Sequence, residues 1–505
     1  MNQTYIKNLK VDIASNEILH GIDLDILAGH TIGIVGESGS GKSILSKTLT
    51  GLLPDFSTAS GEYVLEGENR NLNASDKEWY DVRGTNITLI LQDPFTALDS
   101  MRKIKSQILD GVRKSDRADF DVISALSEVG LDENVANSYP GELSGGMRQR
   151  VVIASALATN PDILIADEST TALDTITQKE VLDLLARIKE SRHMTIILIS
   201  HDLPLIAERA DYIVVMNDGQ IVERGDADEI MHHPQHAYTQ KLIHANKLNI
   251  RNSFLESNEN TILTVTNLSK SFGEKQALHD VSIQAKRGEI IGIVGESGSG
   301  KTTLARTIVG LTKADGGTIE LNEKTCGFPQ IVFQDPYSSL NSALKIRTIL
   351  AEAIRAGEKV NAKCGKIGEI IEDHNVEKLM DMVDLPHHYL NRRPGSLSGG
   401  ERQRIAIARA IATNPSILIC DESVASLDAS VRAQILEMLY DMREKLSLTI
   451  LFITHDLSVV REIADRAYVM NHGQIVEEGS TDMILNHPRH PYTQKLVEAA
   501  PSLIA

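Results

Sequence analysis

The feature that most limits what this chain can fold into is a repeat. The run Gly36, Glu37, Ser38, Gly39, Ser40, Gly41 and Lys42 returns, residue for residue, as Gly295, Glu296, Ser297, Gly298, Ser299, Gly300 and Lys301. The same spacing of 259 positions aligns Asn8 and Leu9 with Asn267 and Leu268, and Leu19 and His20 with Leu278 and His279. Further on, the stretch from Ala158 to Pro161 matches that from Ala412 to Pro415, and His201 and Asp202 match His455 and Asp456, at a spacing of 254. A period near 255 residues is too long for a solenoid unit, so the chain reads as one domain written twice. The expected organisation is a first domain over 1–245, a polar, Asn-rich linker over 246–260 and a second domain over 261–505.

Each half reads as an α/β domain. Thr31–Val35 and Ile290–Val294 are short apolar runs that end at a glycine and lead into helix-like segments closing at Gly51 and Gly310. Residues 163–166, 195–199, 417–420 and 449–453 are further unbroken apolar runs. Continuous apolar strands separated by helices argue for a mainly parallel sheet covered on both faces. Over about 93–150 and 335–404 such runs are scarce and helix formers dominate, which predicts a helical subdomain inserted into each half.

Charge and cysteine usage exclude several functions. Against 51 Lys and Arg stand 69 Asp and Glu, a net charge of −18. A chain this acidic is repelled by phosphate polyanions unless basic residues gather locally, and the stretch Arg102 to Lys105 is too short to do so. Nucleic acid is not an expected partner. Cys326, Cys364 and Cys420 form no C-x-x-C pair, which leaves neither a disulfide framework nor a thiolate metal cluster and fits a reducing cytosol. His232, His233, His236, His487 and His490 fall in a duplicated element without acidic or cysteine partners at ligand spacing, so no transition-metal site is assigned to them. No apolar run approaches the roughly 18 residues of a bilayer span. If the protein works at a membrane, another chain must cross it.

Both glycine-rich runs complete the pattern G-x-x-x-x-G-K-[ST], through Ser43 and Thr302, and continue as Ile44 and Thr303 into a predicted helix. Glycines there let successive backbone N–H groups curl around phosphate oxygens, aided by the positive end of the helix dipole. Lys42 and Lys301 are placed to bridge the β- and γ-phosphates, and the Ser43 and Thr302 hydroxyls to ligate Mg2+. Asp167 with Glu168, and Asp421 with Glu422, end apolar strands, where paired carboxylates point into the crevice in which α/β sheets bind ligands. The expected roles are Asp167 and Asp421 on the ion through water, and Glu168 and Glu422 as general bases. Ser144, Gly145 and Gly146, and their counterparts Ser398, Gly399 and Gly400, open helical runs with a serine-capped turn.

That last element, Leu-Ser-Gly-Gly followed by Arg-Gln-Arg at 148–150 and 402–404, resembles the signature of ATP-binding cassette (ABC) ATPases, and the likeness covers essentially the entire chain twice. The resemblance implies two nucleotide-binding domains, each a RecA-like α/β lobe with an inserted helical subdomain, binding ATP and Mg2+. In the family the signature of one domain contacts ATP held by the other, so two composite sites would form within one chain and no dimerisation is needed. The resemblance further implies that Gln92 and Gln334 are the Q-loop glutamines that touch magnesium, that Asp174 and Asp428 belong to the D-loop, and that His201 and His455 hold the γ-phosphate and attacking water. Each histidine follows its glutamate by 33 positions. Phe272 fits the aromatic that stacks on adenine, whereas the aligned residue of the first half is Ile13. Ser169 and Ser423 stand where many relatives carry proline.

More selective segments are Gln92 to Asp99, Gln334 to Asn341, and the near-identical endings at 236–242 and 490–496. They resemble the ATPases of bacterial dipeptide, oligopeptide and nickel importers, with the first half like the D-type and the second like the F-type subunit. This implies a peripheral protein on the cytoplasmic face of a bacterial membrane, coupled to two transmembrane permease subunits and through them to an extracytoplasmic substrate-binding protein. An exporter ATPase, and a soluble tandem cassette acting on ribosomes or DNA, are the competing readings. The short linker, the absence of a heptad run and the scarcity of cysteine argue against the latter.

Overall fold

The computed structural model describes residues 3–91, 94–170, 173–246, 260–322, 327–363, 376–425 and 427–500. Gln92, residues 247–259 of the expected linker, Cys326 and Cys364 lie outside the described residues. The described residues divide into two compact units, one over 3–173 and 177–246, the other over 260–500 together with 174–176. No helix among the described residues is long and apolar enough to cross a membrane.

In the first unit a six-stranded sheet runs in the order Gln220–Asp226, Tyr212–Asn217, Thr31–Val35, Thr195–Ser200, Ile163–Asp167, Ile87–Ile90. All neighbours are parallel except the first pair, a hairpin. The second unit repeats it as Gln474–Ser480, Arg466–Asn471, Ile290–Val294, Thr449–Thr454, Ile417–Asp421, Gln330–Val332. All five residues of Thr31–Val35, and all five of Ile290–Val294, are buried, as a strand covered on both faces requires. The register decides where chemistry can happen. Val35 lies opposite Ser200 and Asp167 opposite Ile199, so the loops that follow, carrying Gly36, Glu168 and His201, leave the same carboxyl edge of the sheet. Val294 opposite Thr454 and Asp421 opposite Ile453 do the same in the second unit.

Each unit adds an antiparallel sheet that the apolar runs do not announce. Thr4–Ile13 pairs with Asn16–Ile26 and Ser57–Leu65, and Thr261–Phe272 with Lys275–Lys286 and Gly316–Leu321. The strand Thr4–Ile13 buries Ile6, Leu9 and Val11 and exposes Lys7 and Lys10. Its alternation slips at a bulge around Asn8, whose φ of 46° is matched by 50° at Asn267 in the second unit.

Among the described residues the inserted segments hold the helices Ile104–Gly111, Val122–Glu128 and Gly145–Leu157, and Ile346–Lys363, Val376–Met382 and Gly399–Ile411. Their apolar faces belong to the same cores as the sheets: Ile108, Leu126 and Ile153 join Leu164 and Ile196, and Leu350, Leu379 and Ile407 join Leu418 and Ile450. A lobe tied to the sheet by packing moves with it or strains the contact.

The glycine in the middle of each central strand is required by packing. A Cβ on Gly33 would stand 2.1 Å from Ile206 Cγ2, on the helix Leu203–Ala207, and one on Gly292 would stand 2.7 Å from Val460 Cγ1. Gly33→Ala should therefore cost about 1–3 kcal/mol, the usual range for overpacking, and Gly292→Ala less. Chemical denaturation of the two variants checks this. Equal midpoints for both and for the parent chain would rule out the close approach.

Candidate active site

The phosphate-loop candidates curl tightly because the backbone has no room for side chains. The helices Lys42–Leu49 and Lys301–Ile308 start from Gly41 and Gly300, both left-handed at φ 98° and 106°. A Cβ on Gly36 would lie 2.2 Å from the Met216 carbonyl oxygen, and one on Gly295 2.1 Å from that of Met470. At the outer turn a Cβ on Gly39 or Gly298 meets nothing within 4 Å, so that side of the loop is open.

Inside the curl sits the lysine. Lys42 Nζ donates to the carbonyl oxygens of Gly36 at 2.7 Å and Glu37 at 2.9 Å, and to Ser40 Oγ at 3.4 Å. Lys301 Nζ donates to Gly295 and Glu296, both at 2.7 Å, and to Ser299 Oγ at 3.3 Å. Burial depresses the Lys301 pKa, against the opposing pull of Glu422 and Asp421. An ammonium so placed is partly desolvated and surrounded by neutral carbonyls, a setting in which an arriving phosphate gains a full opposite charge.

The acidic pair faces the loop. Ser43 Oγ donates to Asp167 Oδ1 at 3.3 Å and Ser46 Oγ to Oδ2 at 3.0 Å; in the second unit Thr302 Oγ1 donates to Asp421 Oδ1 at 3.1 Å. Burial raises both aspartates above the ordinary carboxylate range, the hydroxyls offsetting it in part. Hydroxyl and carboxylate oxygens side by side are the hard donors that Mg2+ takes, so the residues fit that ion. Ser46 escaped the sequence reading because its position three residues past Ser43 acquires meaning only once the helix turns it toward the strand.

Glu168 and Glu422 occupy the left-handed region at φ 46° and 47°, and their N–H groups donate to Ile199 and Ile453 carbonyls at 2.9 Å. Non-glycine residues held so cluster at functional sites. His201 Nδ1 lies 3.4 Å from Glu168 Oε1, and His455 Nδ1 the same distance from Glu422 Oε1. Gln334 Nε2 donates to Glu422 Oε2 at 2.8 Å. Burial works to raise both glutamates, but the histidine hydrogen bond and charge, with the nearby lysine, outweigh it and leave each below its ordinary value. For His455 burial lowers and the Glu422 bond raises, and the net shift is upward. Each unit thus brings together a loop lysine, a hydroxyl, an aspartate, a glutamate and a histidine on one sheet edge. An ionised carboxylate beside a cationic phosphate site, oriented by an imidazole, suits positioning and deprotonation of water for attack on a phosphoryl group.

Ser144 Oγ accepts the Met147 N–H at 3.3 Å, capping Gly145–Leu157. Ser398 Oγ accepts from Glu401 N–H at 3.3 Å while Glu401 Oε2 accepts the Ser398 N–H at 2.7 Å, a closed capping box. Gly146 and Gly400 press the signature helices onto a neighbour, a Cβ there lying 2.4 Å from Thr177 or Val431. Asp174 precedes the helix Thr175–Arg192, and Asp428 stands at the N-cap position of Ala429–Leu446. Ile13 packs half-buried on the apolar core, whereas Phe272 is 55% exposed with Lys270 Nζ 5.4 Å from its ring centre. Tyr238 and Tyr492, inside the near-identical endings at 236–242 and 490–496, reach the phosphate loops.

The chain is similar over nearly its whole length to known proteins. The sequence profile described as ABC transporter matches residues 19–171 and 278–425, and one described as oligopeptide/dipeptide transporter, C-terminal region, matches 222–267 and 476–505. The glutathione import ATP-binding protein GsiA of Salmonella typhimurium is 35% identical over 96% of this chain and 86% of its own length. The peptidoglycan transport ATP-binding protein YejF of Agrobacterium fabrum is 35% identical over 96% of this chain and 93% of its own. Among solved structures, the archaeal ribosome recycling factor aABCE1, in complex with the stalk protein aP1, aligns with a TM-score of 0.64 at 21% identity, covering 94% of this chain and 92% of that one, a likeness of fold.

The Glu422–His455 pair carries a pH signature. A histidine raised above 6.5 stabilises the fold below that value and loses the contribution as pH rises through its folded pKa; a glutamate lowered below 4.5 stabilises above that value. The pair therefore contributes most between about 4.5 and 6.5. Without nucleotide, the melting-temperature gap between the parent chain and Glu422→Gln should be larger at pH 6 than at pH 9. An equal gap at both would exclude a charged pair.

Proposed function

The chain belongs to the ABC transporter family, as an ATPase subunit of the importer branch, and from that premise we propose that it energises uptake of short peptides or peptide-like solutes. The observation that carries the reading is the repetition of one constellation: Lys42, Asp167, Glu168 and His201 in the first unit, and Lys301, Asp421, Glu422 and His455 in the second, each beside a glycine-built loop. The C-terminal match to oligopeptide and dipeptide transporters favours an importer over an exporter and peptides over other solutes.

In this reading Lys42 and Lys301 exchange their loop carbonyls for the β- and γ-phosphates of ATP. Glu168 and Glu422, kept deprotonated by their histidines, accept a proton from the attacking water, and His201 and His455 orient that water and the γ-phosphate. Ser43 and Thr302, with Asp167, Asp421 and the glutamines Gln92 and Gln334, hold Mg2+, which when bound neutralises charge on the phosphate oxygens. Phe272 stacks on one adenine; Ile13 offers the other only apolar contact. The resemblance adds that the signature residues Ser144, Gly145, Gly146, Ser398, Gly399 and Gly400, with Asp174 and Asp428, complete each site from the opposite half. Two ATP sites then lie in one chain. ATP binding closes the halves, hydrolysis reopens them, and the helical segments pass the motion to two permease subunits at the cytoplasmic face, fed by an extracytoplasmic binding protein.

Replacing Glu168 and Glu422 together by glutamine is expected to leave ATP binding intact and to lower turnover by at least a hundredfold, the usual scale of a lost general base. Near-normal phosphate release by that double variant would overturn the base assignment. An affinity pull-down from detergent-solubilised host membranes should recover two multi-span permease chains. Ribosomal or DNA-repair proteins in their place would discard the importer while keeping the ATPase.

A further inference from the structure

Each unit ends in an element to which the activity above gives no task. On the strand Gln220–Asp226, the Glu223 carboxylate accepts the backbone N–H groups of Gln235 at 2.6 Å and His236 at 3.0 Å. On Gln474–Ser480, Glu477 accepts those of Arg489 at 2.9 Å and His490 at 3.0 Å. Each histidine then closes the first turn of the helix that follows: His236 Nδ1 accepts the Tyr238 N–H and His490 Nδ1 the Tyr492 N–H, both at 3.2 Å. These bonds fix the first turns of Ala237–Asn246 and Pro491–Ala499, and buried Leu242 and Leu496 anchor the helices to the core.

What this pinning delivers is a hydroxyl at the phosphate loop. The Glu37 N–H donates to Tyr238 Oη at 3.0 Å and the Glu296 N–H to Tyr492 Oη at 2.9 Å. Each of those N–H groups belongs to the rigid peptide plane whose carbonyl, on Gly36 or Gly295, takes the loop lysine at 2.7 Å. One plane is therefore held at both ends, by tyrosine and by lysine. When a phosphate draws the ammonium away, the tyrosine bond still holds that plane. Burial pushes the Tyr492 hydroxyl up to about 12, so it stays neutral through any ordinary assay and its oxygen remains an acceptor without adding negative charge near the phosphates.

We propose that Tyr238 and Tyr492 are positioning residues of the two ATP sites, holding the Gly36–Glu37 and Gly295–Glu296 peptides in place while Lys42 and Lys301 serve the nucleotide. The inference rests on the reading of these loops as ATP sites. It makes the C-terminal element of each half a working part of the phosphate loop, and the twofold occurrence of the same contact, on Ala237 to Asn246 and again on Pro491 to Ala499, is independent support.

The test is steady-state ATP hydrolysis by the full chain carrying Tyr238→Phe and Tyr492→Phe, which removes the two oxygens and leaves both rings. The expected result is a KM for ATP raised about fivefold, the scale of one lost buried hydrogen bond, with kcat changed less than twofold. The melting temperature without nucleotide should stay close to that of the parent, because the lysine still holds the carbonyl, while the rise on adding ATP should shrink. A KM within twofold of the parent, with or without a lower melting temperature, overturns the proposal and leaves the tyrosines as packing. The single variants give the same readout if the double variant does not fold. If the parent chain itself binds no ATP, the ATP-site reading falls, and that control separates the two failures.

Discussion

Everything at the candidate sites depends on a cation held by a loop of carbonyls. Lys42 and Lys301 are almost wholly buried, and a buried ammonium without partners would cost several kcal/mol. The loop supplies those partners from its own backbone, through Gly36 and Glu37 or Gly295 and Glu296. The resting loop is therefore already shaped around a charge, and the glycines that permit the shape are those whose Cβ would strike Met216 or Met470. Binding an anion then means exchanging acceptors on one nitrogen and needs no refolding of the loop, which keeps the ordering cost of binding low.

Around this shared centre the two units differ in what supports it. Asp167 is held by two hydroxyls, Ser43 and Ser46, while Asp421 receives the Thr302 hydroxyl. The first signature helix is capped by serine alone, whereas the second closes a box through Glu401, whose other oxygen takes the Tyr389 hydroxyl at 2.8 Å. Glu401 brings a negative charge to the positive end of its helix; Met147 brings none. The distance from histidine to glutamate is 3.4 Å in both units. The glutamate–histidine geometry is kept alike in the two units while its surroundings differ.

Much of this is legible in the amino-acid sequence. The parallel strands Thr31–Val35, Ile163–Asp167 and Thr195–Ser200 are buried on both faces, so they read as unbroken apolar runs, and the residues after them stand out as glycines, carboxylates and histidines. The antiparallel sheet was not legible, because its period-two pattern slips at the bulges around Asn8 and Asn267. Ser46 and the two tyrosines were missed for another reason. Their partners lie 121, 201 and 196 positions away, and such a pairing exists only once the sheet and its flanking helices have assembled. Sequence patterns report a residue's local period, whereas a contact of that span is set by topology.

The strand ends show why chemistry and strain share one address. The last strand residue, Asp167 or Asp421, is buried and pairs in register with Ile199 or Ile453; the next must leave the sheet at once for its carboxylate to reach the histidine. The backbone does so by entering the left-handed region at Glu168 and Glu422, at a cost of about 1–2 kcal/mol for a residue with a Cβ. A glycine there would adopt the turn freely but would bring no carboxylate. The N–H bonds to Ile199 and Ile453 offset part of that cost and keep the turn from relaxing. Held in this way, the glutamate has little freedom left to lose, and under the proposed hydrolytic role the resting fold has already met an ordering cost that the reaction would otherwise bear.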